Sequence, residues 1–402
     1  MVTFCLLLVA SLSVLLTLLA HGLVHWLAAQ QGRHKAGTMP ISVLKPLKGV
    51  DDELEANLES FCRQTHPQYE IIFGVADKFD PALPIARSVA ARHSKPPIRV
   101  IVGQCPTGLN PKVRILRALI RNARHDALLI SDSNVRVNEH YLATIAAELE
   151  DPRVGLVSNP IIGKGDATLG SALESLQLNS YVVQGLALAN FVGKHACVVG
   201  KSMLLRRSAL SQIGGLGKFA DVLAEDYLIG REIRRVGYRV VTSPSAIATI
   251  NRSWTLQKLW HRHLRWSQIR RTLGAPGYCL ELVLLPHMWL LATIVSALFV
   301  GMPNSKTPPG LIVAACGMAY AVTWLSELIV TLRWSGRGSL KAPLIIHLTL
   351  RQLVQLVCWS VAWFKNEVTW RGNHLRIGKG SKLTDSRRTT RQPSPSFARQ
   401  AA

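Results

Sequence analysis

Residues 1–32 contain no Asp, Glu, Lys or Arg, and Thr3–Leu27 within them is apolar almost throughout. A helix crosses the hydrocarbon core of a bilayer with ~20 such residues. The stretch is too long for a signal-peptide core and lacks a charged start and a small-residue cleavage site, so it reads as a retained anchor. Arg33, His34 and Lys35 follow at once, and positive charge beside a span marks the cytosolic side. Two apolar spans recur late, Leu282–Met302 without charge and Leu311–Leu332 with only Glu327. A further stretch, Leu344–Phe364, contains Arg351, Gln352 and Gln355. A charge at mid-bilayer is costly, so Arg351 must face protein or water. Basic residues flank this stretch on both sides (Arg333, Arg337 and Lys341; Lys365, Arg371, Arg376, Lys379 and Lys382). One crossing cannot leave both flanks cytosolic, which favours a re-entrant or interfacial segment.

Composition agrees with spans joined to a basic domain. The chain has 402 residues and a net charge of +23, yet a positive mean hydropathy. No zinc-ligand spacing, aromatic RNA-binding motif or basic heptad accompanies the charge, so no nucleic-acid partner is expected. The seven cysteines (5, 62, 105, 197, 279, 316 and 358) are scattered without close pairs. They read as buried small residues in a reducing compartment. The last twenty or so residues, rich in Ser, Thr, Arg, Gln and Pro, read as disordered.

From Ile41 onward short apolar runs alternate with helical patterns. Ile41–Leu44, Glu70–Val75, Ile98–Val102 and Ala127–Ile130 read as strands; Asp52–Phe61, Ala82–Arg92, Lys112–Arg124 and Asn138–Leu149 read as the helices between them. That alternation argues for an α/β domain with a mostly parallel, Rossmann-like sheet covered on both faces. Cys197–Arg206 and Tyr238–Val241 read as further strands. Leu169–Val192 is a long, nearly uncharged helical segment, either plain core or a lining for lipid. The glycine turn at Gly214, Gly215 and Gly217 reads as an ordinary turn, since no strand–GxGxxG–helix context surrounds it.

Ligands of such sheets bind beyond the carboxyl ends of the strands. Asp77 follows the Glu70–Val75 strand and Asp132 follows Ala127–Ile130, so both fall on that edge. Turns favour aspartate, so one alone carries little weight; two from different strands favour a polar ligand. In Asp132-Ser133-Asn134 alternate side chains point the same way. A carboxylate there suits Mg²⁺ or Mn²⁺ bridging two phosphates, and an Asx turn is the rival on spacing alone. Asp226, in Ala224-Glu225-Asp226-Tyr227, opens a helical pattern, where a carboxylate can be held rigidly as a general base or serve as a cap. Lys258, Arg262 and Arg265 recur at helical spacing, with Trp266 beside them. Such a stripe can neutralise a departing diphosphate or anchor the helix at a membrane surface.

Together these stretches resemble the ceramide glucosyltransferases, glycosyltransferase family 21 of GT-A type, with the bacterial hopanoid-associated glycosyltransferases among them. The resemblance is carried, in order, by Val43-Leu44-Lys45-Pro46-Leu47-Lys48-Gly49-Val50-Asp51, Val75-Ala76-Asp77, Asp80-Pro81-Ala82 and Gly108-Leu109-Asn110-Pro111-Lys112. It continues through Asp132-Ser133-Asn134-Val135-Arg136-Val137, Val154-Gly155-Leu156-Val157, Ala224-Glu225-Asp226-Tyr227, Arg262-x-x-Arg265-Trp266, Trp370-Arg371-Gly372 and Leu375-Arg376. Asn134 departs from the second aspartate or glycine of many relatives. Val113-Arg114-Ile115-Leu116 lacks asparagines found there in others.

The resemblance implies a GT-A catalytic domain that inverts the anomeric centre without a covalent sugar–enzyme intermediate. It implies Asp77 on the uridine, Asp132 at the metal–diphosphate position with Mg²⁺ or Mn²⁺, and Asp226 as the base. Arg262, Arg265 and Trp266 would close on the leaving UDP, with Lys45 and Lys112 as phosphate contacts. The implied donor is a UDP-sugar and the acceptor a lipid. UDP-glucose with ceramide is the family's pair; a hopanoid polyol with N-acetylglucosamine, or diacylglycerol, are the alternatives. A processive polysaccharide synthase is disfavoured, because such enzymes usually carry Gln at the position of Arg262 and more spans. A non-catalytic, membrane-anchored binding protein would use the basic face, at roughly 1 kcal/mol per Lys or Arg near an anionic surface, but leaves three motif carboxylates unexplained. The resulting parse is an anchor over 1–32, a cytosolic GT-A domain over 33–253, an interface helix over 254–280, membrane helices over 281–366 and a basic, partly disordered tail over 367–402. The protein is expected to be multi-pass, in a bacterial inner membrane with its catalytic domain facing the cytosol.

Overall fold

A computed structural model describes residues 1–30, 36–192, 197–243, 245–300, 307–336, 344–370 and 372–385. The basic flank 33–35, Met302, Arg337, Lys341, Arg371 and the Ser/Arg-rich end fall outside them.

Seven strands form the central sheet: β1 (Ile41–Leu47), β2 (Tyr69–Val75), β3 (Ile98–Val102), β4 (Ala127–Ser131), β5 (Val154–Ser158), β6 (Ser202–Arg206) and β7 (Arg239–Thr242). Their order is β3-β2-β1-β4-β6-β5-β7. The first four are parallel neighbours, and β6 runs antiparallel to both β4 and β5. The parallel-rich α/β architecture expected from the sequence is therefore present. β1, β2 and β4 are buried along their whole length, which explains their nearly continuous apolar runs. Successive residues go to opposite faces. Val43, Ile71, Phe73 and Leu129 pack with Leu58, Phe61 and Ile145. Leu44, Ile72, Leu128 and Ile130 pack with Leu116, Leu119, Ile229 and Ile233 on the other side.

Three departures from the sequence reading have local causes. The helix expected from Asp52 begins at Leu54, because Asp52 turns away to bond Ser253 and Glu53 adopts a left-handed φ of 53°. Leu282–Met302 is not one straight span: a 3₁₀ turn at Glu281–Leu284 meets the Pro286–Phe299 helix at a 67° bend. Pro286 begins that second helix, where its missing N–H is harmless. Within the tail segment, Glu367–Trp370, Asn373–Ile377 and Leu383–Asp385 form an antiparallel sheet. It packs Val368, Leu375, Ile377 and Leu383 onto Leu223.

Val2–Ala29 and Pro309–Ser335 are long and apolar enough to cross a membrane, and the bent pair would add a third span, among the described residues. Arg351, on the Leu344–Ala362 helix, does face protein: its guanidinium meets Glu327 at 2.7 Å in the interior. Gln177 bonds Gln355 at 2.9 Å beside them, and Trp334 donates to the carbonyl of Ile161 at 3.1 Å, tying the helical bundle to the α/β domain.

Candidate active site

The carboxyl ends of β1, β2 and β4 and the start of β6 share one edge, because β6 runs backwards. Ser131 lies opposite Ser202, and the Asp132 N–H donates to the Lys201 carbonyl at 3.0 Å. This pairing sets Lys201 against Asp132. Asp132 Oδ1 lies 3.0 Å from Lys112 Nζ, and Oδ2 lies 3.0 Å from Lys201 Nζ. Burial would raise the Asp132 carboxyl, but Lys112 and Lys201 outweigh it and hold it far below the usual range. Lys45 sits beneath, fully buried, stacked 3.8 Å over Phe61 and donating to the Asp132 carbonyl at 2.9 Å. Burial pushes its ammonium down to about 7 against the pull of Asp132. It supports the Asp132 backbone from below.

Lys112 opens the Pro111–Asn122 helix, capped by Asn110 through the Val113 N–H. Asn110 also donates to the Val222 carbonyl and to Glu225 Oε2, at 2.8 and 3.1 Å. Leu109 N–H donates to Asp221 at 2.8 Å. The Gly108–Lys112 motif thus fastens the Pro111–Asn122 helix to the loop before the Glu225–Arg235 helix. Lys112 Nζ reaches Glu225 Oε1 at 3.3 Å and the Gly200 carbonyl at 3.0 Å.

Asp226 occupies the first turn of the Glu225–Arg235 helix. Its Oδ2 accepts from the Gly200 N–H at 2.6 Å and its Oδ1 from the Tyr227 N–H at 2.8 Å. Burial nevertheless raises this carboxyl above the ordinary aspartate range, with Lys112 pulling the other way. A side chain at Gly200 would displace Asp226: an added Cβ there would collide with the Asp226 carboxylate.

Arg262 and Trp266 lie on the Leu256–Leu273 helix, whose Thr255 cap bonds the Lys258 N–H. The Arg262 guanidinium stacks 4.9 Å from Trp254 and 4.5 Å from Trp266. It also meets Glu174 Oε1 at 2.8 Å, while His263 Nε2 meets Oε2 at 2.6 Å. Burial pushes the Glu174 carboxyl up, but Arg262 and His263 win and bring it to about 2. Burial and, after it, the nearby Arg262 depress the Lys201 ammonium to about 8 against the pull of Asp132. Arg265 is half-buried on the same helix. Asp77 is exposed beyond β2 and accepts from the Phe79 N–H at 2.9 Å, on the same edge but outside the lysine cluster.

Asp132, Lys112, Lys45 and Asp226 thus form one contiguous network, with Arg262 and Trp266 beside it. Three of its residues were not singled out from sequence. Gly200 and Lys201 carry no spacing signature before a strand. Glu174 did carry a signal, as the one charge in the otherwise uncharged Leu169–Val192 segment.

An acid at a helix start, a carboxylate caged by lysines at the sheet edge and a cation stacked between tryptophans suit transfer from an anionic donor. The sequence profile described as "Glycosyl transferase family 21" matches residues 2–383, and the chain belongs to that family. Ceramide glucosyltransferase 1 of Caenorhabditis elegans is 23% identical over 365 residues, covering 89% of this chain and 76% of its own length. The Komagataella phaffii ceramide glucosyltransferase is 25% identical, covering 60% and 58%. The protein is a membrane-associated glycosyltransferase most like these enzymes. Among solved structures, a mannosyltransferase from Pyrobaculum calidifontis in complex with GDP-Man and Mn2+ is similar at a TM-score of 0.47 and 16% identity, covering 86% of this chain and 99% of its own.

Proposed function

We propose that the chain transfers a hexose from a UDP-sugar to a lipid hydroxyl with inversion, with UDP-glucose and ceramide as the leading pair. The observation that carries the reading is Asp226, held by two backbone N–H groups and linked through Lys112 to Asp132. An acid raised by burial is suited to take a proton near neutral pH. Asp226 removes the acceptor hydroxyl proton as that oxygen attacks the anomeric carbon from the face opposite the diphosphate. The bond from the anomeric carbon to the β-phosphate oxygen breaks, and its electron pair leaves with UDP. Lys112, Arg262 and Arg265 offset that charge, Trp266 stacks on Arg262 and closes over the nucleotide with it, Asp77 holds the uridine, and Lys45 keeps the Asp132 backbone in place.

A hard cation here would depend on oxygens from the donor as well as from the protein. Among the described residues no three His, Cys, Asp or Glu side chains converge on a metal position. Asp132 would be the carboxylate that holds Mg²⁺ or Mn²⁺ at the sheet edge, with phosphate and water oxygens completing the shell. When bound, the ion would neutralise charge on the leaving diphosphate. The catalytic domain is assigned to the cytosolic face of a multi-pass membrane protein, because the basic flank 33–35 follows the first helix.

Mass spectrometry of the lipid product tests the reading. Detergent-solubilised protein is given Mn²⁺ and UDP-glucose, UDP-N-acetylglucosamine or UDP-galactose, each with ceramide, diacylglycerol or a hopanoid polyol. One glycosylated lipid, absent with Asp226→Asn, is the expected result. Full turnover by Asp226→Asn would remove the base assignment.

A further inference from the structure

We propose that Lys201, together with Lys112, forms a two-ammonium cradle for the donor diphosphate, so that the chain binds a nucleoside diphosphate without a divalent cation. The inference rests on the donor reading above and adds a residue and a charge mechanism to it.

Backbone register places Lys201. The Ser131–Ser202 pairing and the Asp132 N–H bond to the Lys201 carbonyl leave no freedom in where its Cα sits. The side chain then reaches Asp132 Oδ2 at 3.0 Å and Asn134 Oδ1 at 2.9 Å. Asn134 offers a neutral amide oxygen where a carboxylate would have strengthened a cation site. Lys112 takes the other Asp132 oxygen at 3.0 Å. Both oxygens of the Asp132 carboxylate are therefore engaged by ammoniums, and a divalent ion entering on Asp132 must expel one of them. An incoming diphosphate need not. Each lysine has three N–H donors. Lys112 directs its three at Asp132, Glu225 and the Gly200 carbonyl and so contributes charge to the cradle; Lys201 bonds two oxygens among the described residues, leaving one donor on a side chain that keeps 15% exposure. A compact ammonium is a point charge well suited to phosphate oxygens. Lys45 cannot play this part, since it is fully buried against Phe61 and the Asp132 carbonyl.

Isothermal titration of the detergent-solubilised full chain with UDP, in EDTA and in Mn²⁺, is decisive. The wild type is expected to bind UDP in EDTA. Lys201→Met is expected to weaken that binding by about tenfold or more, with Mn²⁺ restoring much of it. Lys201→Gln, which can still hydrogen-bond Asp132 but has no charge, should show the same loss and serves if the Met variant unfolds. Thermal melting of each variant confirms its folding. UDP binding by the wild type in Mn²⁺ but not in EDTA would overturn the inference and leave the donor reading intact. So would variants that bind UDP in EDTA as the wild type does. A folded wild type that binds UDP in neither buffer would overturn both.

Discussion

Gly200 joins the proposed base, Asp226, to Asp132. Its N–H fixes Asp226, its carbonyl fixes Lys112, and Lys201 follows on Asp132. Gly200→Ala drives a methyl against Asp226 and should lower kcat by about 100-fold while leaving the melting temperature near that of the wild type. Asp226 itself makes a pH prediction. Its carboxyl is raised, so the proton-accepting form is lost as pH falls through a value above the ordinary 3.8. The acid limb of the kcat profile should therefore sit higher than a free aspartate's and should be absent from any residual activity of Asp226→Asn. Glu174 has the opposite sign. Its pKa falls from 4.5 to about 2 on folding, so its stabilisation is complete above 4.5 and is lost as pH drops through about 2. Glu174→Ala strands Arg262 and His263 in the interior and should cost about 3–5 kcal/mol, read as a lowered melting temperature in detergent. At this scale the sequence revealed the acids that end strands or start helices, because position on an α/β sheet confers meaning. It did not reveal Lys201, whose neighbour Asp132 is 69 positions away in sequence and comes near only through an antiparallel pairing.

Among the elements, β3 and the Ala82–Arg92 helix have the bounds that their apolar periodicity suggests. The sheet of residues 367–385 escaped notice because its strands are three to five residues long and rich in outward-facing polar groups. Few alternations are too few to read. Yet this sheet holds the loop leading into Glu225 and Asp226. The Leu223 N–H donates to the Ser381 carbonyl at 2.9 Å, the Ala224 N–H to Ser381 Oγ at 3.0 Å, and the Leu383 N–H to the Asp221 carbonyl at 2.8 Å. Ser381→Ala leaves the buried Ala224 N–H without its acceptor, a loss of about 1–3 kcal/mol. Hydrogen exchange should quicken across 221–226, and turnover should fall with it. Unchanged exchange there would detach the tail sheet from the site.

For the molecule as a whole, apolar spans were legible by length alone, whereas their pairing was not. Glu327 and Arg351 lie on separate helices and meet at 2.7 Å in the interior. Arg351→Leu alone leaves a buried carboxylate and should destabilise by about 3–5 kcal/mol; the double change Glu327→Leu with Arg351→Leu should cost much less than the two single changes added together. Thermal melts of the four proteins in one detergent would close that cycle. The bond from Trp334 to Ile161 has a different consequence. It fastens the central domain to a helix long enough to traverse a bilayer, so the enzyme is held at its surface. Under the proposed reaction the acceptor is confined to the same plane, and the two meet by lateral diffusion. What governs their encounter is then a mole fraction within the film and not a molarity in the bulk. Diluting the acceptor with inert detergent at constant total acceptor should slow turnover, whereas diluting the whole suspension with buffer should not.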